Sequence, residues 1–405
     1  MTMAGPTAGD TLARLREREA RLLMSTYRRQ PLALVRGEGT RVWDSEGSEY
    51  LDMVAGIAVN ILGHCPAVLR ATLEEQASTL VHVSNLYFSE PQLDAAQLLV
   101  DSAFPARVFF CNSGAEANEG MIKIARKWGL RHRGGAHRIV CLNGAFHGRT
   151  LATLAATGNE AYLAPFEPRV EGFVHVDRDD MDGVARELRD GAVAVMVEPI
   201  QGESGIHPLP DATLRTLRAL CDEHDALLLV DEVQSGMGRT GRMWAHQHSG
   251  IVPDVMSVAK GLGGGLPIGA VLAGPRSDVL EPGDHGCTFG GSPLATAVAA
   301  AVLRAVVDGD LPGRAARLGD RLRSRIDALG ARGLPVAGVR GRGLMLGVAL
   351  TADIAPAVAA AALRHGLIVN ATGPATLRLV PPLTISEAEV DTAVERLGAA
   401  LAEAS

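Results

Sequence analysis

The chain has 405 residues, of which 47% are hydrophobic and 21% charged, and its net charge is −7. This composition is typical of a globular protein, and the length favours two domains. The acidic balance argues against a nucleic-acid partner, and no apolar run approaches the length of a membrane span. The five cysteines are scattered without a C-x-x-C pair, which predicts a reducing, cytoplasmic location and no metal site.

The N-terminal part of the chain predicts a helix followed by a small antiparallel meander. The segment LARLREREARLL mixes arginine with glutamate, which favours a helix of the mature protein over a targeting peptide. Between Ala33 and Met53, glycines separate short runs of strand-forming residues. We assign residues 1–66 to a small domain that is completed by the other end of the chain.

Residues 67–300 predict a large α/β domain. Its apolar runs are RVFFC, RIVCL, GFVHV, AVAVMVE, ALLLVDE, VMSVAK and GAVLAG, and helical segments lie between most of them. Such a pattern is typical of a mostly parallel sheet covered by helices on both faces. Too few residues separate the last two runs for a crossover helix, so we expect that pair to be antiparallel. Residues 301–405 then supply the helices and short strands of the small α+β domain.

Ligands of open α/β sheets bind beyond the carboxyl ends of the strands, so the residues at those ends are the candidates. After RVFFC, Ser113, Gly114 and Ala115 open a helix whose free N–H groups suit a phosphate, although an ordinary N-cap by Ser113 explains the same residues. After RIVCL, Phe146 can stack on a flat ring and Arg149 can clamp a carboxylate. The alternative there is a solvated, glycine-rich loop.

Three further strand ends carry charged groups. Glu198 and Glu203 follow AVAVMV, and such a carboxylate pair also suits a glycosidase, although a 4% aromatic content offers little for a sugar cleft. Asp231 follows five apolar residues, where a carboxylate needs a cation or strong hydrogen bonds, unless it caps a helix. Lys260 follows VMSVA, and desolvation would make it an amine nucleophile; a side chain that reaches solvent is the alternative.

Lysine occurs at only three positions in the chain. Lys123 and Lys127, four residues apart in a helical segment, are interpreted as surface charges, which leaves Lys260 to be explained. Pyridoxal phosphate accounts for the whole set, because it needs a lysine for its aldehyde, an anion for its ring nitrogen, a stacking partner and a phosphate site. The sequence GLGGGLPIG after Lys260 does not open a helix, which argues against a dinucleotide site.

The motifs that carry these residues resemble those of class III aminotransferases of the pyridoxal-phosphate fold type I group. They occur in register from residue 56 to residue 383: GIAVNILGHC, VSNLYFSEPQ, FFCNSGAEANEGMIKIARKW, NGAFHGRT, VEPIQGESG, LLVDEVQSGMGRTG, PDVMSVAKGLGGGLPIGA, HGCTFGGSPLA and RLVPPL. The details look most like the acetylornithine branch of the family. One difference is Cys287, where that branch usually has serine.

The resemblance implies site residues. Lys260 would be the catalytic residue, and Thr288 would reach a phosphate of the neighbouring subunit in a homodimer with shared active sites. The residues implied for cofactor binding are Ser113, Gly114, Ala115, Phe146, Glu198, Asp231, Val233, Gln234, Lys260 and Thr288. Those implied for substrate binding are Arg149, Glu203, Cys287 and Arg378.

The resemblance also implies a reaction. It is the transfer of the terminal amino group of N2-acetyl-L-ornithine to 2-oxoglutarate, a step of arginine biosynthesis. Arg149 would hold the carboxylate of the donor and Arg378 that of glutamate, while Glu203 neutralises Arg378 when a terminal amine is presented. Succinylornithine, ornithine, 4-aminobutyrate and carrier-linked lysine are the alternative donors.

Overall fold

The computed structural model describes residues 8–405, and the N-terminal part forms the predicted helix and meander. The helix precedes three antiparallel strands joined by short turns. The elements of this part are α1 (Ala8–Leu22), β1 (Leu34–Glu38), β2 (Arg41–Asp44), β3 (Glu49–Asp52), α2 (Ala55–Ala58) and α3 (Ala67–Thr79).

A seven-stranded sheet forms the centre of the molecule, in the order β4-β12-β11-β10-β7-β5-β6. Strand β12 is antiparallel to both of its neighbours and the other pairs are parallel, so the expected antiparallel pair is confirmed. A two-stranded ribbon, β8 with β9, lies outside this sheet. The strands are β4 (Arg107–Cys111), β5 (Ile139–Leu142), β6 (Phe173–Val176), β7 (Ala194–Val197), β8 (Ile200–Gln201), β9 (His207–Pro208), β10 (Leu227–Asp231), β11 (Val255–Val258) and β12 (Gly269–Ala273).

Helices cover both faces of the central sheet. Along β10, Leu227 and Leu229 pack into one hydrophobic cluster and Leu228 and Val230 into another, because successive side chains of a strand point to opposite faces. This two-sided burial explains why the strands are continuous apolar runs. The helices are α4 (Glu90–Ser102), α5 (Gly114–His132), α6 (Leu151–Thr157), α7 (Glu160–Leu163), α8 (Met181–Arg189), α9 (Asp211–Glu223) and α10 (Pro293–Asp308).

The C-terminal part forms an antiparallel sheet in the order β13-β14-β17-β16, together with three helices. Strand β15 pairs in parallel with β3, which joins segments from the two ends of the chain in one sheet. The elements are α11 (Leu311–Ala331), β13 (Val336–Arg342), β14 (Met345–Leu350), α12 (Ala355–Arg364), β15 (Leu367–Ile368), β16 (Asn370–Gly373), β17 (Thr376–Leu379) and α13 (Glu387–Ala404).

The division into domains at residues 66 and 300 stays a prediction, and residues 1–7 of its first part lie outside the described residues. Over residues 8–405, no helix is both long and apolar enough to cross a bilayer. Within the same range, no group of three or more histidine, cysteine or acidic side chains is arranged to hold a metal ion.

Candidate active site

A cavity of about 250 Å³ lies at the carboxyl ends of the central strands. Residues that follow β4, β5, β7, β10 and β11 converge on it, as expected for the ligand site of an open α/β sheet. Its lining residues are Gly114, Ala115, Asn118, Phe146, His147, Gly148, Arg149, Glu198, Asp231, Val233, Gln234 and Lys260.

The amino end of α5 forms one end of this cavity. The Ser113 hydroxyl accepts a hydrogen bond from the Glu116 N–H (3.2 Å), so its side chain is the N-cap of the helix. Gly114 and Ala115 line the cavity, and a Cβ at Gly114 would lie only 2.7 Å from Val233 Cγ1. The first N–H groups of the helix, together with its positive dipole end, make this a site for an anion.

Asp231 is buried in a hydrogen-bond network at the end of β10. Its Oδ2 accepts from Asn118 Nδ2 (2.7 Å) and lies 2.9 Å from His147 Nδ1, while its Oδ1 accepts from the Val233 N–H (2.9 Å). Asn118 is fixed in turn by the Ser257 hydroxyl, which donates to its Oδ1 (2.7 Å). The strong hydrogen bonds that we expected for a carboxylate in this position are therefore present, and they hold a negative charge at the cavity wall.

Glu198 joins two loops of the site. It accepts hydrogen bonds from the Phe146 N–H (2.8 Å) and the Gly202 N–H (3.1 Å). Burial is the largest influence and raises the pKa of Glu198 to about 7; the neighbouring His147 opposes this shift, and the negative charge of Asp231 adds to it. The half-buried Phe146 ring lies on the cavity wall, so Glu198 fixes the backbone that presents this ring.

Lys260 lies at the first position of a short 3-10 turn just after β11. Its backbone φ is +45°, a left-handed conformation that is uncommon for residues other than glycine and is often found at functional sites. Desolvation is the main influence and lowers the pKa of the ammonium group, although the negative charge of Glu203 opposes it. A lysine in this state reaches its neutral, nucleophilic form more easily than one in water.

An ion pair borders the site beyond Lys260. Arg378 is 1% exposed, and its Nη1 donates to Glu203 Oε1 (2.6 Å). Gln234 contacts both charges, since its Oε1 is 3.4 Å from Arg378 Nη1 and its Nε2 is 3.4 Å from Glu203 Oε1. Burial alone would raise the pKa of Glu203, but the charge and hydrogen bond of Arg378 outweigh it and lower that pKa.

A second, accessible arginine lies at the rim of the same cavity. Arg149 is exposed, and its guanidinium carbon is 3.8 Å from the centre of the Tyr162 ring and 5.7 Å from that of Phe146. The stacking orients the guanidinium while its N–H groups stay free to bind an anion. Tyr162 was not among the predicted residues, because no local signal relates it to Arg149.

Five of the predicted residues do not line the cavity: Ser113, Glu203 and Arg378, described above, and Cys287 and Thr288. Cys287 is half-buried, with Asn112 Nδ2 (3.1 Å) and the Gly290 N–H (3.2 Å) as hydrogen-bond partners of its sulfur. Thr288 is exposed. Their roles in binding substrate and cofactor stay predictions.

Comparison with known proteins decides the family. The model of the family "Aminotransferase class-III" matches residues 24–401. The chain belongs to the class III aminotransferases. Its fold is that of fold type I enzymes, since its structural neighbours are aminotransferases of this kind.

Among curated relatives, the acetylornithine aminotransferase of Caldanaerobacter subterraneus subsp. tengcongensis is 46% identical over 387 residues, covering 95% of this chain and 98% of the relative. The acetylornithine aminotransferase of Methanopyrus kandleri is 49% identical over 383 residues, covering 93% and 96%. Among solved structures, N-acetylornithine aminotransferase from Stenotrophomonas maltophilia is 42% identical, with a TM-score of 0.82 and coverage of 93% and 97%. Ornithine aminotransferase from Toxoplasma gondii is 32% identical, with a TM-score of 0.93 and coverage of 98% and 96%.

Three residues of the aminotransferase cavity were missing from the predicted set. Asn118 lies one helical turn after Gly114, so their shared helix face was a usable signal. His147 lies in the loop that carries Phe146, but its contact with Asp231 spans 84 residues and has no local signature. Gly148 is needed because a Cβ there would lie 2.5 Å from a side-chain oxygen of α6.

Proposed function

We propose that this class III aminotransferase uses pyridoxal 5′-phosphate to transfer the terminal amino group of N2-acetyl-L-ornithine to 2-oxoglutarate. The products would be N-acetyl-L-glutamate 5-semialdehyde and L-glutamate. The observation that carries the proposal is the pairing of Arg378 with Glu203 beside Lys260, while Arg149 stays accessible at the rim. Two arginines, one masked by a carboxylate and one free, suit two substrates that present different amines.

The residues of the cavity fit the proposed cofactor. The helix end at Gly114 and Ala115 offers N–H groups for the phosphate, and the Phe146 ring offers a surface for a flat ring. Asp231, held by its hydrogen bonds, suits a protonated ring nitrogen. When bound, pyridoxal phosphate supplies an aldehyde that reacts with amines and a cationic ring that draws electrons from the substrate carbon.

Lys260 is the residue proposed to do the proton chemistry. Because desolvation lowers its pKa, its Nζ can accept a proton from the substrate carbon and return it at another position. Asp231 keeps a fixed negative charge at the cavity wall, and the Asn118 and His147 bonds stop that charge from turning away. The site thus separates a mobile proton at Lys260 from a fixed anion at Asp231.

The ion pair determines which substrate group is held. With Glu203 on Arg378, the positive charge is neutralised, so the carboxylate of an acylated ornithine binds Arg149 and directs the terminal amine to Lys260. With glutamate or 2-oxoglutarate, Glu203 has to leave so that Arg378 can hold the α-carboxylate. The Arg378 side chain is 2% exposed and that of Glu203 35%, so only Arg378 is fully desolvated and Glu203 is the partner that can leave the pair.

We further propose that the active unit is a homodimer in the cytoplasm, in which Thr288 reaches the phosphate site of the neighbouring subunit. Thr288 is exposed and does not line the cavity of its own chain, as this arrangement requires. The roles predicted for the remaining residues are also proposed. Cys287 would bind the substrate, and the cofactor would be bound by Glu198, Val233 and Gln234.

The attachment of the cofactor can be tested directly because the chain has only three lysines. We expect purified protein to show the visible absorption of lysine-bound cofactor, and borohydride reduction followed by peptide mass spectrometry to locate the label on Lys260. Lys260→Ala should lose both the label and all turnover above background, whereas Lys127→Ala should keep the label on Lys260 and its turnover at saturating cofactor. Transamination that survives in Lys260→Ala would contradict the mechanism.

The donor is tested by comparing kcat/KM for acetylornithine, succinylornithine, ornithine, 4-aminobutyrate and a carrier-linked lysine, each with 2-oxoglutarate. We expect acetylornithine to be preferred and glutamate to form in proportion to the aldehyde product. A clear preference for unacylated ornithine or 4-aminobutyrate would defeat the assignment of acetylornithine as the donor.

A further inference from the structure

A row of four residues crosses the C-terminal sheet next to the ion pair. Arg340 on β13 is directly opposite Gly347 on β14, Gly347 is opposite Arg378 on β17, and Arg378 is opposite Asn370 on β16. Residues directly opposite each other on antiparallel strands project to the same face of the sheet. One face therefore presents two arginines with a glycine between them, and Asn370 fixes the second arginine by accepting from its Nη2 (2.8 Å).

The loop of residues 202–206, which carries Glu203, lies across this row. At one end, Arg378 Nη1 donates to the Gly202 carbonyl (3.2 Å) as well as to Glu203. At the other end, Arg340 Nε donates to the carbonyls of Gly205 (2.7 Å) and Ile206 (2.9 Å). In the middle, a Cβ at position 347 would lie 2.8 Å from the Gly205 carbonyl oxygen and 2.9 Å from Ile206 Cβ, so only glycine admits the loop.

The loop is held in a strained conformation at its last residue. Ile206 has a φ of +58°, and a β-branched residue in the left-handed region is a genuine outlier with a strained backbone. Ile206 is fully buried against Ile200, Met345 and Val380. Packing and the two bonds from Arg340 are the contacts that offset this strain.

We propose that Arg340 is a positioning residue that holds the strained loop over Gly347 and thereby keeps Glu203 on Arg378. Arg340 also connects the loop to the strand of Arg378, because its Nη2 donates to Thr376 Oγ1 (3.0 Å). One guanidinium thus fixes both partners of the ion pair relative to each other. The inference rests on the proposed function in assuming that this pair selects between substrates.

We expect the loss of Arg340 to slow one half-reaction and not the other. When Ile206 relaxes, Glu203 moves away from Arg378, and the exposed guanidinium captures the donor carboxylate in a non-productive orientation. The half-reaction of the terminal-amine donor then slows. The glutamate half-reaction, which requires Glu203 to leave, is unchanged or faster.

The experiment measures both half-reactions of the holoenzyme in single turnovers, for wild type, Arg340→Met, Arg340→Lys and Arg323→Met. In Arg340→Met we expect the ratio of kcat/KM for donor over glutamate to fall by at least about tenfold, the scale of a lost charged hydrogen bond. Arg340→Lys should recover part of the ratio. Arg323 is the matched control, since it donates to the carbonyls of Val339 and Gly341 on the same strand but does not touch the loop.

A double-mutant cycle tests whether Arg340 acts through Glu203. Adding Arg340→Met to Glu203→Ala should leave the half-reaction ratio of the single Glu203 variant unchanged. An equal fall of both half-reactions, an additive effect on the Glu203→Ala background, or a similar ratio change in Arg323→Met would each overturn the proposal. If wild type prefers another terminal-amine donor, the proposed donor is wrong, and the same ratio measured with the preferred donor still decides the role of Arg340.

Discussion

At the scale of single residues, the surroundings of two glutamates shift their pKa values in opposite directions. Glu198 and Glu203 are five residues apart, yet burial raises the pKa of Glu198 to about 7, while Arg378 lowers the pKa of Glu203. Glu198 has only N–H donors as partners, which do not balance the loss of water. Two neighbouring carboxylates therefore have opposite effects on the pH dependence of stability.

The first prediction concerns Glu198. The pKa of Glu198 is higher in the folded protein than in the unfolded chain. Its contribution to the free energy of unfolding is therefore fully present below about pH 4.5 and is lost as the pH rises through about 7. The loss is at most about 3 kcal/mol. Glu198→Gln cannot ionise. We expect the difference in Tm between variant and wild type to shift in favour of the variant between about pH 5 and pH 8, measured by calorimetry on cofactor-free protein.

Glu203 provides a control of opposite sign. Because its folded-state pKa is lowered, it contributes stability above the unfolded pKa that is lost as the pH falls through the folded value. Glu203→Gln should therefore be less stable than wild type near neutral pH and approach it in acid. The same pH trend in both glutamine variants would contradict the assignment.

The sequence could predict site residues that have a local signal, but not contacts between residues that lie far apart along the chain. Asp231 and Lys260 were predicted because each follows an apolar strand, which is a local signal, and both line the cavity. The hydrogen bonds of Asp231 to Asn118 and His147 were not found, because they join residues 113 and 84 positions apart. A single sequence has no local pattern for such pairs.

At the scale of elements, the loop between β12 and α10 is attached to α5 by lysines. Lys123 Nζ donates to the Asp284 carbonyl (2.6 Å) and lies 3.0 Å from His285 Nδ1. Lys127 pairs with Glu281 and Asp284. Both lysines have intermediate exposure, so they lie at the surface as predicted, and in addition they hold the loop that contains Cys287 and Thr288.

This attachment leads to a prediction about cofactor affinity. If Thr288 reaches the neighbouring phosphate site, releasing its loop should weaken binding of pyridoxal phosphate. We expect Lys123→Met to raise the cofactor Kd about three- to tenfold, as for the loss of one hydrogen bond of about 1 kcal/mol, measured by absorption titration.

The control for this prediction is Arg131→Met. Arg131 pairs with Glu281 of the same loop from the same helix, but both side chains are substantially exposed, so the pair contributes little. An unchanged Kd in Lys123→Met, or equal changes in both variants, would show that this attachment does not act on the cofactor.

The elements themselves were predictable where burial on both faces imposes a continuous apolar run, as in the strands of the central sheet. Strand β13 was not predicted. It contains Gly338 and Gly341, six of its seven residues have intermediate exposure, and a bulge interrupts its pairing. The row of Arg340, Gly347 and Arg378 depends on the register of three strands, which local patterns do not determine.

At the scale of the whole molecule, exposed apolar residues lie next to the loop of Thr288. Leu86, Tyr87 and Phe88 are 83%, 69% and 99% exposed. Asn85, directly before them, donates to the carbonyls of Cys287 (3.0 Å) and Gly290 (2.9 Å). A contiguous apolar surface of this kind marks an interaction site, and its attachment to the Thr288 loop favours a second copy of the chain as the partner.

The last prediction places a charge in this surface. Phe88→Asp should shift the protein from dimer to monomer in sedimentation velocity, because burying an unpaired carboxylate in an interface is strongly unfavourable. Cofactor content and specific activity should fall with it and recover as the protein concentration rises, since each site would lack the Thr288 of its neighbour. Leu130→Asp is the control: Leu130 is 68% exposed and lies about 22 Å along α5 from Ala115. A fully active monomer would contradict a shared site, and an intact dimer would place the interface elsewhere.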